Sequence, residues 1–159
     1  KSSLLADAIT RRPPGCRVLL GRCTDGLGTP FGPIIEAVRP VLEHHPGPLA
    51  ELTGGAGGVL AGMLPDLVVD LPGMPDDVPD AVRPRLVIEV LVNVLRSVSA
   101  DEPLVLIVED LHWVDRATVT FLQKAARESP LTISRLGARG PGGAPQPLQT
   151  ASAPVSIQP

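Results

Sequence analysis

The sequence predicts an α/β fold built around a parallel sheet, and three observations carry the prediction. Residues 104–108, Leu-Val-Leu-Ile-Val, form a continuous apolar run rich in β-branched residues. A run that short, with no polar alternation, reads as a strand buried on both faces, as parallel sheets require. Val18-Leu19-Leu20 is a shorter run of the same kind. Around the two runs lie segments with apolar residues at helical spacing, the mixture from which parallel connections are built.

Taken in order, the elements are helix, strand, helix, an irregular stretch, helix, strand, helix and a tail. Leu4, Leu5, Ala8 and Ile9 give the first helix its stripe, and Arg12-Pro13-Pro14-Gly15 ends it. Proline supplies no N–H and disfavours helix in the residue before it. The strand at 18–20 leads through a Gly-rich connection, 24–29, to a helix expected over 31–44. Ile34, Ile35, Val38, Val41 and Leu42 are its apolar face.

Residues 46–85 hold Gly54-Gly55, Gly57-Gly58 and repeated prolines, so loops with one or two short helices are expected. Over 84–97 the stripe Leu86, Val90, Leu91, Val94, Leu95 and Val98 predicts a helix, with Pro84 suited to a first turn. The alternation Val90, Val92, Val94 also fits a strand, but the length favours a helix. After the strand at 104–108, Asp115 is positioned to cap a last helix that offers Val119, Leu122 and Ala126 to the core.

The chemistry sits at the end of the longer apolar run. Glu109 and Asp110 follow it directly. Open α/β sheets place ligands at the carboxyl ends of their strands. Two acids there suit a hydrated Mg²⁺ and the water that attacks a nucleotide's terminal phosphate. Taken alone, the two acids read as the end of a strand with their charges in solvent. The matching half would be G-x-x-x-x-G-K-[ST], in which Lys reaches the phosphates and the next hydroxyl Mg²⁺. The chain opens with Lys1-Ser2-Ser3 at the start of its first helical stripe. The sequence is therefore expected to begin inside that motif, with its glycines and preceding strand upstream.

These stretches together resemble the Orc1-like AAA ATPase domain of large bacterial regulators, among the signal-transducing (STAND) P-loop NTPases. The resemblance is carried by Lys1 to Leu5, Arg17 to Cys23, Thr29-Pro30-Phe31-Gly32-Pro33 and residues 105–122. Its specific part is Glu-Asp-Leu-His-Trp-Val-Asp, 109–115, followed by Ala117-Thr118. It implies an α/β P-loop NTPase of the ASCE/AAA type, a three-layer sandwich with a parallel sheet, here truncated at the first strand. That strand lies centrally in the superfamily's sheet, so its loss is expected to leave a gap.

The resemblance further implies ATP and Mg²⁺ as cofactors. Lys1 and Ser2 would bind the phosphates, Ser2 and Glu109 the metal, and Asp110 would orient or deprotonate the attacking water. Related enzymes carry Asp then Glu. The reversed order puts a shorter side chain at the catalytic position, so hydrolysis is expected to be slow. The implied role is an ATP-binding, ATP-hydrolysing regulatory switch in a signal-transducing or transcriptional regulator. Its output domain, for instance a LuxR-type helix-turn-helix, would lie outside this chain, and nucleotide-dependent self-association is compatible with it. The alternative is a non-enzymatic remnant or interaction module without nucleotide turnover. By itself the chain is expected to bind ATP weakly or not at all.

Composition narrows the classes. Apolar residues make up 43% of the chain, but with two Phe, one Trp and no Tyr the core must be aliphatic. A net charge of −3 offers no basic field for direct nucleic-acid binding. No apolar run is long enough to span a bilayer, no signal peptide is visible, and a cytoplasmic location is expected. Cys16 and Cys23 are read as reduced structural thiols. His44-His45 reads as a solvated helix end, since adjacent helical positions diverge by about 100°. His112 and Trp113 are expected to pack the start of the following helix, with a γ-phosphate-sensing role for His112 as the alternative.

The NTPase part is expected over residues 1–128. From 129 to 159 the chain has no acid, six prolines and four glycines. It reads as a low-complexity, disordered tail or as a shifted reading frame. Residues 131–134 are a poor version of the next family strand, nothing after them returns to the pattern, and Arg139 is only a weak match to the family's sensor residue.

Overall fold

The computed structural model describes residues 15–25, 29–67, 69–71 and 78–128 in full, and 132–136 by their backbone. The expected helix at 3–9 lies outside the described residues. Three parallel strands, β1 (Arg17–Arg22), β2 (Leu104–Glu109) and β3 (Thr132–Leu136), form a sheet in the order β1-β2-β3. Leu104, Leu106, Ile107 and Val108 of the central strand are each at most 2% exposed. Leu104, Leu106 and Val108 enter the main core and Ile107 is buried on the opposite face, so neither side of this central strand is solvated and its sequence does not alternate.

The described strands are immediate neighbours, so the gap expected from a missing central strand does not fall among them. β3 also forms where the sequence offered only a poor strand. Its backbone pairs with β2 from Thr132 opposite Val105 to Leu136 opposite Glu109. Parallel pairing draws on main-chain groups that every non-proline residue supplies, and a well-formed neighbouring edge recruits a mediocre sequence.

Helix α1 (Gly32–Glu43) buries the predicted face, Ile34, Ile35, Val38, Val41 and Leu42, together with Pro33 and Ala37. It starts with Phe31 in the left-handed region, φ 64°, although this side chain has a Cβ. Phe31 is 3% exposed, and the core that holds its ring offsets the backbone strain. The irregular stretch forms one short helix, α2 (Leu49–Leu52), and two 3-10 turns, Gly57–Leu60 and Pro65–Leu67.

The longest helix, α3 (Arg83–Asp101), decides the ambiguity at Val90, Val92 and Val94 in favour of helix. All three are buried, with Val87, Ile88, Leu91, Leu95 and Val98, so the apolar surface is wider than a single stripe. Leu86, expected in that stripe, is only partly buried. The width follows from the neighbours: α3 packs against α1, α2, the Gly57–Leu60 turn, β2 and the last helix.

That last helix, α4 (Arg116–Glu128), corrects the predicted face. Thr118, Phe121, Leu122 and Ala125 are buried, whereas Val119 and Ala126 are only half-buried. Thr118 can enter the interior because Asp115 bonds both its N–H and its hydroxyl. At the surface, Lys124 bridges Glu89 of α3 (3.0 Å) and Glu128 (2.9 Å), and Arg96 reaches Glu128 at 3.5 Å. Exposed pairs of this kind add little to stability.

Candidate functional site

The carboxyl ends of β1 and β2 lie side by side, because the register sets Arg22 opposite Glu109. Parallel partners in register project to the same side of the sheet, and the two side chains meet. Nε and Nη2 of Arg22 donate to the same oxygen, Oε2 of Glu109, at 3.2 and 2.8 Å. Glu109 is 7% exposed, so its charge is nearly out of water and held chiefly by this guanidinium. The bonded carboxylate raises the Arg22 pKa above its ordinary value, first by hydrogen bonding and then by its charge. Oε1 of Glu109 accepts no hydrogen bond among the described residues.

After Glu109 the chain leaves the sheet through Asp110, at φ 55° and ψ 43°. Aspartate is among the few residues that visit this left-handed region readily. A 3-10 turn follows over Leu111–Trp113, and Asp115 then caps α4 as expected. Its Oδ1 accepts the Thr118 N–H at 2.9 Å, and Oδ2 accepts the Thr118 hydroxyl.

His112 and Trp113, expected to pack the start of this helix, are both exposed. Leu111, Val114 and Ala117 around them pack against the core. The His112 and Trp113 rings lie 5.0 Å apart between centroids, and Trp113 is 46% exposed. They form one wall of a cleft of about 600 Å³. Arg22, Cys23 and Thr24 at the end of β1, and Gly32, Pro33 and Glu36 at the start of α1, line the rest with Thr29, Val114 and Asp115.

Glu36 fixes the cleft's geometry by accepting the Arg22 main-chain N–H at 2.8 Å. Gly21 lets α1 come this close: a Cβ there would lie 1.8 Å from the Pro33 carbonyl oxygen. Cys23, buried at the cleft floor, has its pKa pushed up to about 11, mainly by burial and then by the charges of Asp115, Asp110 and Glu36. Both cysteines are free and buried. They flank β1, about 23 Å apart at strand rise, far beyond the span of a disulfide.

The residues present suit a hard divalent cation that is shared with a nucleotide. Glu109 Oε1 and the adjacent Asp110 carboxylate are oxygen donors at the edge of the sheet, and Mg²⁺ in phosphate sites takes one or two carboxylates plus phosphate oxygens. Among the described residues no group of three His, Cys, Asp or Glu gathers into a protein-only cage. His44 is exposed at the end of α1, its Nδ1 2.9 Å from the Pro40 carbonyl oxygen. Lys1, Ser2 and Arg139 lie outside the described residues, so the acidic half of the expected site is in view and the phosphate half is not.

The sequence by itself gives no role in the site to Arg22, Thr24, Thr29 or Glu36. The signal for Arg22 was present, since one strand ends in a base and its neighbour in an acid, but it needed the register. Among the described residues, no helix is long and apolar enough to cross a membrane.

No curated protein and no solved structure matches the chain. A family model described as an AAA ATPase domain matches residues 1–136, from Lys1 through the last residue of β3. The match spans the two acids and the whole of the parallel sheet, and the chain belongs to the AAA ATPase domain family.

Proposed function

We propose that the chain is an ATP-binding, ATP-hydrolysing switch domain of a bacterial signal-transducing or transcriptional regulator. The observation that carries this reading is the pair Glu109 and Asp110 at the carboxyl end of the central parallel strand, in a chain of the AAA ATPase domain family. Lys1 and Ser2 take the phosphates, and Ser2 with Glu109 holds Mg²⁺. When bound, that ion neutralises charge on the transferred phosphoryl group. Asp110 orients the attacking water and accepts its proton. Its short side chain keeps turnover slow, as suits a switch whose nucleotide state must persist long enough to be read. The output domain that reads it lies outside this chain, and with a net charge of −3 this segment contributes no direct contact to nucleic acid.

A second reading, an interaction module without turnover, is favoured by one observation. Arg22 already takes one of the two oxygens of the Glu109 carboxylate. The test is ATP turnover by the full-length protein carrying Asp110→Asn or Lys1→Ala. Loss of general-base and phosphate contacts lowers turnover by roughly a hundredfold or more. Unchanged turnover in both variants would sink the ATPase reading and leave the interaction module.

A further inference from the structure

Arg22 is a charged group at this edge to which the ATPase chemistry gives no task. Its side chain is 59% exposed, so packing does not explain its position. Its main-chain N–H is pinned by Glu36 at 2.8 Å, and its guanidinium donates twice to one atom, Oε2 of Glu109. A carboxylate oxygen offers about two lone-pair sites, and the two N–H groups take both. Oε1 alone remains for any other partner.

How many oxygens a carboxylate can offer bears directly on which cation it suits. Ca²⁺ accepts six to eight oxygens and takes carboxylates through one atom or both. Mg²⁺ requires a near-ideal octahedron and keeps much of its water, so a single oxygen serves it. We propose that Arg22 is a positioning residue that makes Glu109 a one-oxygen donor and so sets a preference for Mg²⁺ over Ca²⁺ at the nucleotide site. The inference rests on the ATP-binding reading above and adds to it the determinant of metal choice. Because the guanidinium stays charged across the physiological pH range, the restraint on Oε2 does not lapse with ordinary pH changes.

The experiment is the binding of a fluorescent ATP analogue to the full-length protein, titrated separately with Mg²⁺ and with Ca²⁺. Wild type, Arg22→Met and Arg22→Lys are compared. The ammonium of Arg22→Lys can still engage Oε2 and retains the wild-type ratio of the two half-saturating concentrations. Arg22→Met frees the oxygen, and the Mg²⁺ preference falls by roughly tenfold, mostly through better use of Ca²⁺. Should Arg22→Met fail to fold, Arg22→Leu, which is shorter and has no side-chain N–H to donate, is expected to lose the preference in the same direction.

A purely structural ion pair would alter stability and leave the cation ratio untouched, so an unchanged ratio in the folded neutral variant overturns the proposal. An equal loss in Arg22→Lys overturns it as well, because the hydrogen bond to Oε2 would then not be the cause. Wild-type protein that binds the analogue with neither cation fails earlier. That result removes the ATP-binding reading itself and is distinguished by the absence of any binding signal.

Discussion

Gly21 of β1 and Pro33 of α1 are in such close approach that a Cβ on Gly21 would sit 1.8 Å from the Pro33 carbonyl oxygen. The obstacle is main chain, so no rotamer change relieves it. Gly21→Ala must therefore push α1 off the end of β1, opening the cleft and separating Glu36 from the Arg22 N–H. The expected cost is about 3 kcal/mol or more, at the upper end of overpacking effects. Urea denaturation checks it, and wild-type stability in this variant would show that α1 is not held where the structure places it.

The Arg22–Glu109 pair is asymmetric in exposure, 59% against 9% for the two side chains, and the asymmetry decides which half is dearer to lose. Arg22→Met strands a nearly buried carboxylate, whereas Glu109→Gln leaves a guanidinium that water can solvate. Arg22→Met is thus expected to lower the urea midpoint more than Glu109→Gln. The reverse order would mean that Glu109 is better hydrated than its burial indicates.

Asp115 acts on stability through the cap of α4. Asp115→Ala removes the acceptor for the Thr118 N–H and orphans a buried hydroxyl, and a loss of about 1 kcal/mol or somewhat more is expected. Asp115→Asn keeps an oxygen acceptor and recovers most of it. Thermal melts of the two variants provide the comparison, and equal melting temperatures would contradict a capping role.

Cys23 makes a pH-dependent contribution whose sign follows from its raised pKa, about 11 against an ordinary 9.0. The unfolded thiol ionises first. Its contribution is constant below about pH 9 and is lost as pH rises through 9 towards 11. Wild type should therefore lose stability relative to Cys23→Ala over that alkaline range and show a constant difference near neutrality. The comparison of urea midpoints isolates the thiol from the lysines, and a difference independent of pH would refute the assignment.

The fold was largely legible because most of its signals are local. Continuous apolar runs marked β1 and β2, spacing marked α1 and α3, and an acid before Ala117-Thr118 marked the cap at Asp115. What escaped depends on partners distant in sequence. The face of α4 was misplaced because Thr118 counts as polar until Asp115 is seen to satisfy it, while Val119 looks apolar wherever it points. β3 was undervalued because the pairing edge that recruits it belongs to β2. At the site, Glu109 and Asp110 declared themselves by type and position. Arg22 has meaning only once the register sets it opposite Glu109, and Glu36 only once Gly21 admits α1 to the end of the strand.

The left-handed backbone at Asp110 has a consequence for how substitutions there must be interpreted. Alanine would remove the carboxylate and also force an ordinary residue into a conformation that costs it about 1–2 kcal/mol. Glycine would relax the backbone and add freedom to the exit from β2. Asparagine alone deletes the charge while keeping both shape and tolerance of that conformation. Position 110 is thus one at which the size of a defect does not measure chemistry unless the replacement is matched in backbone habit, and a damaging alanine there would be ambiguous evidence for catalysis.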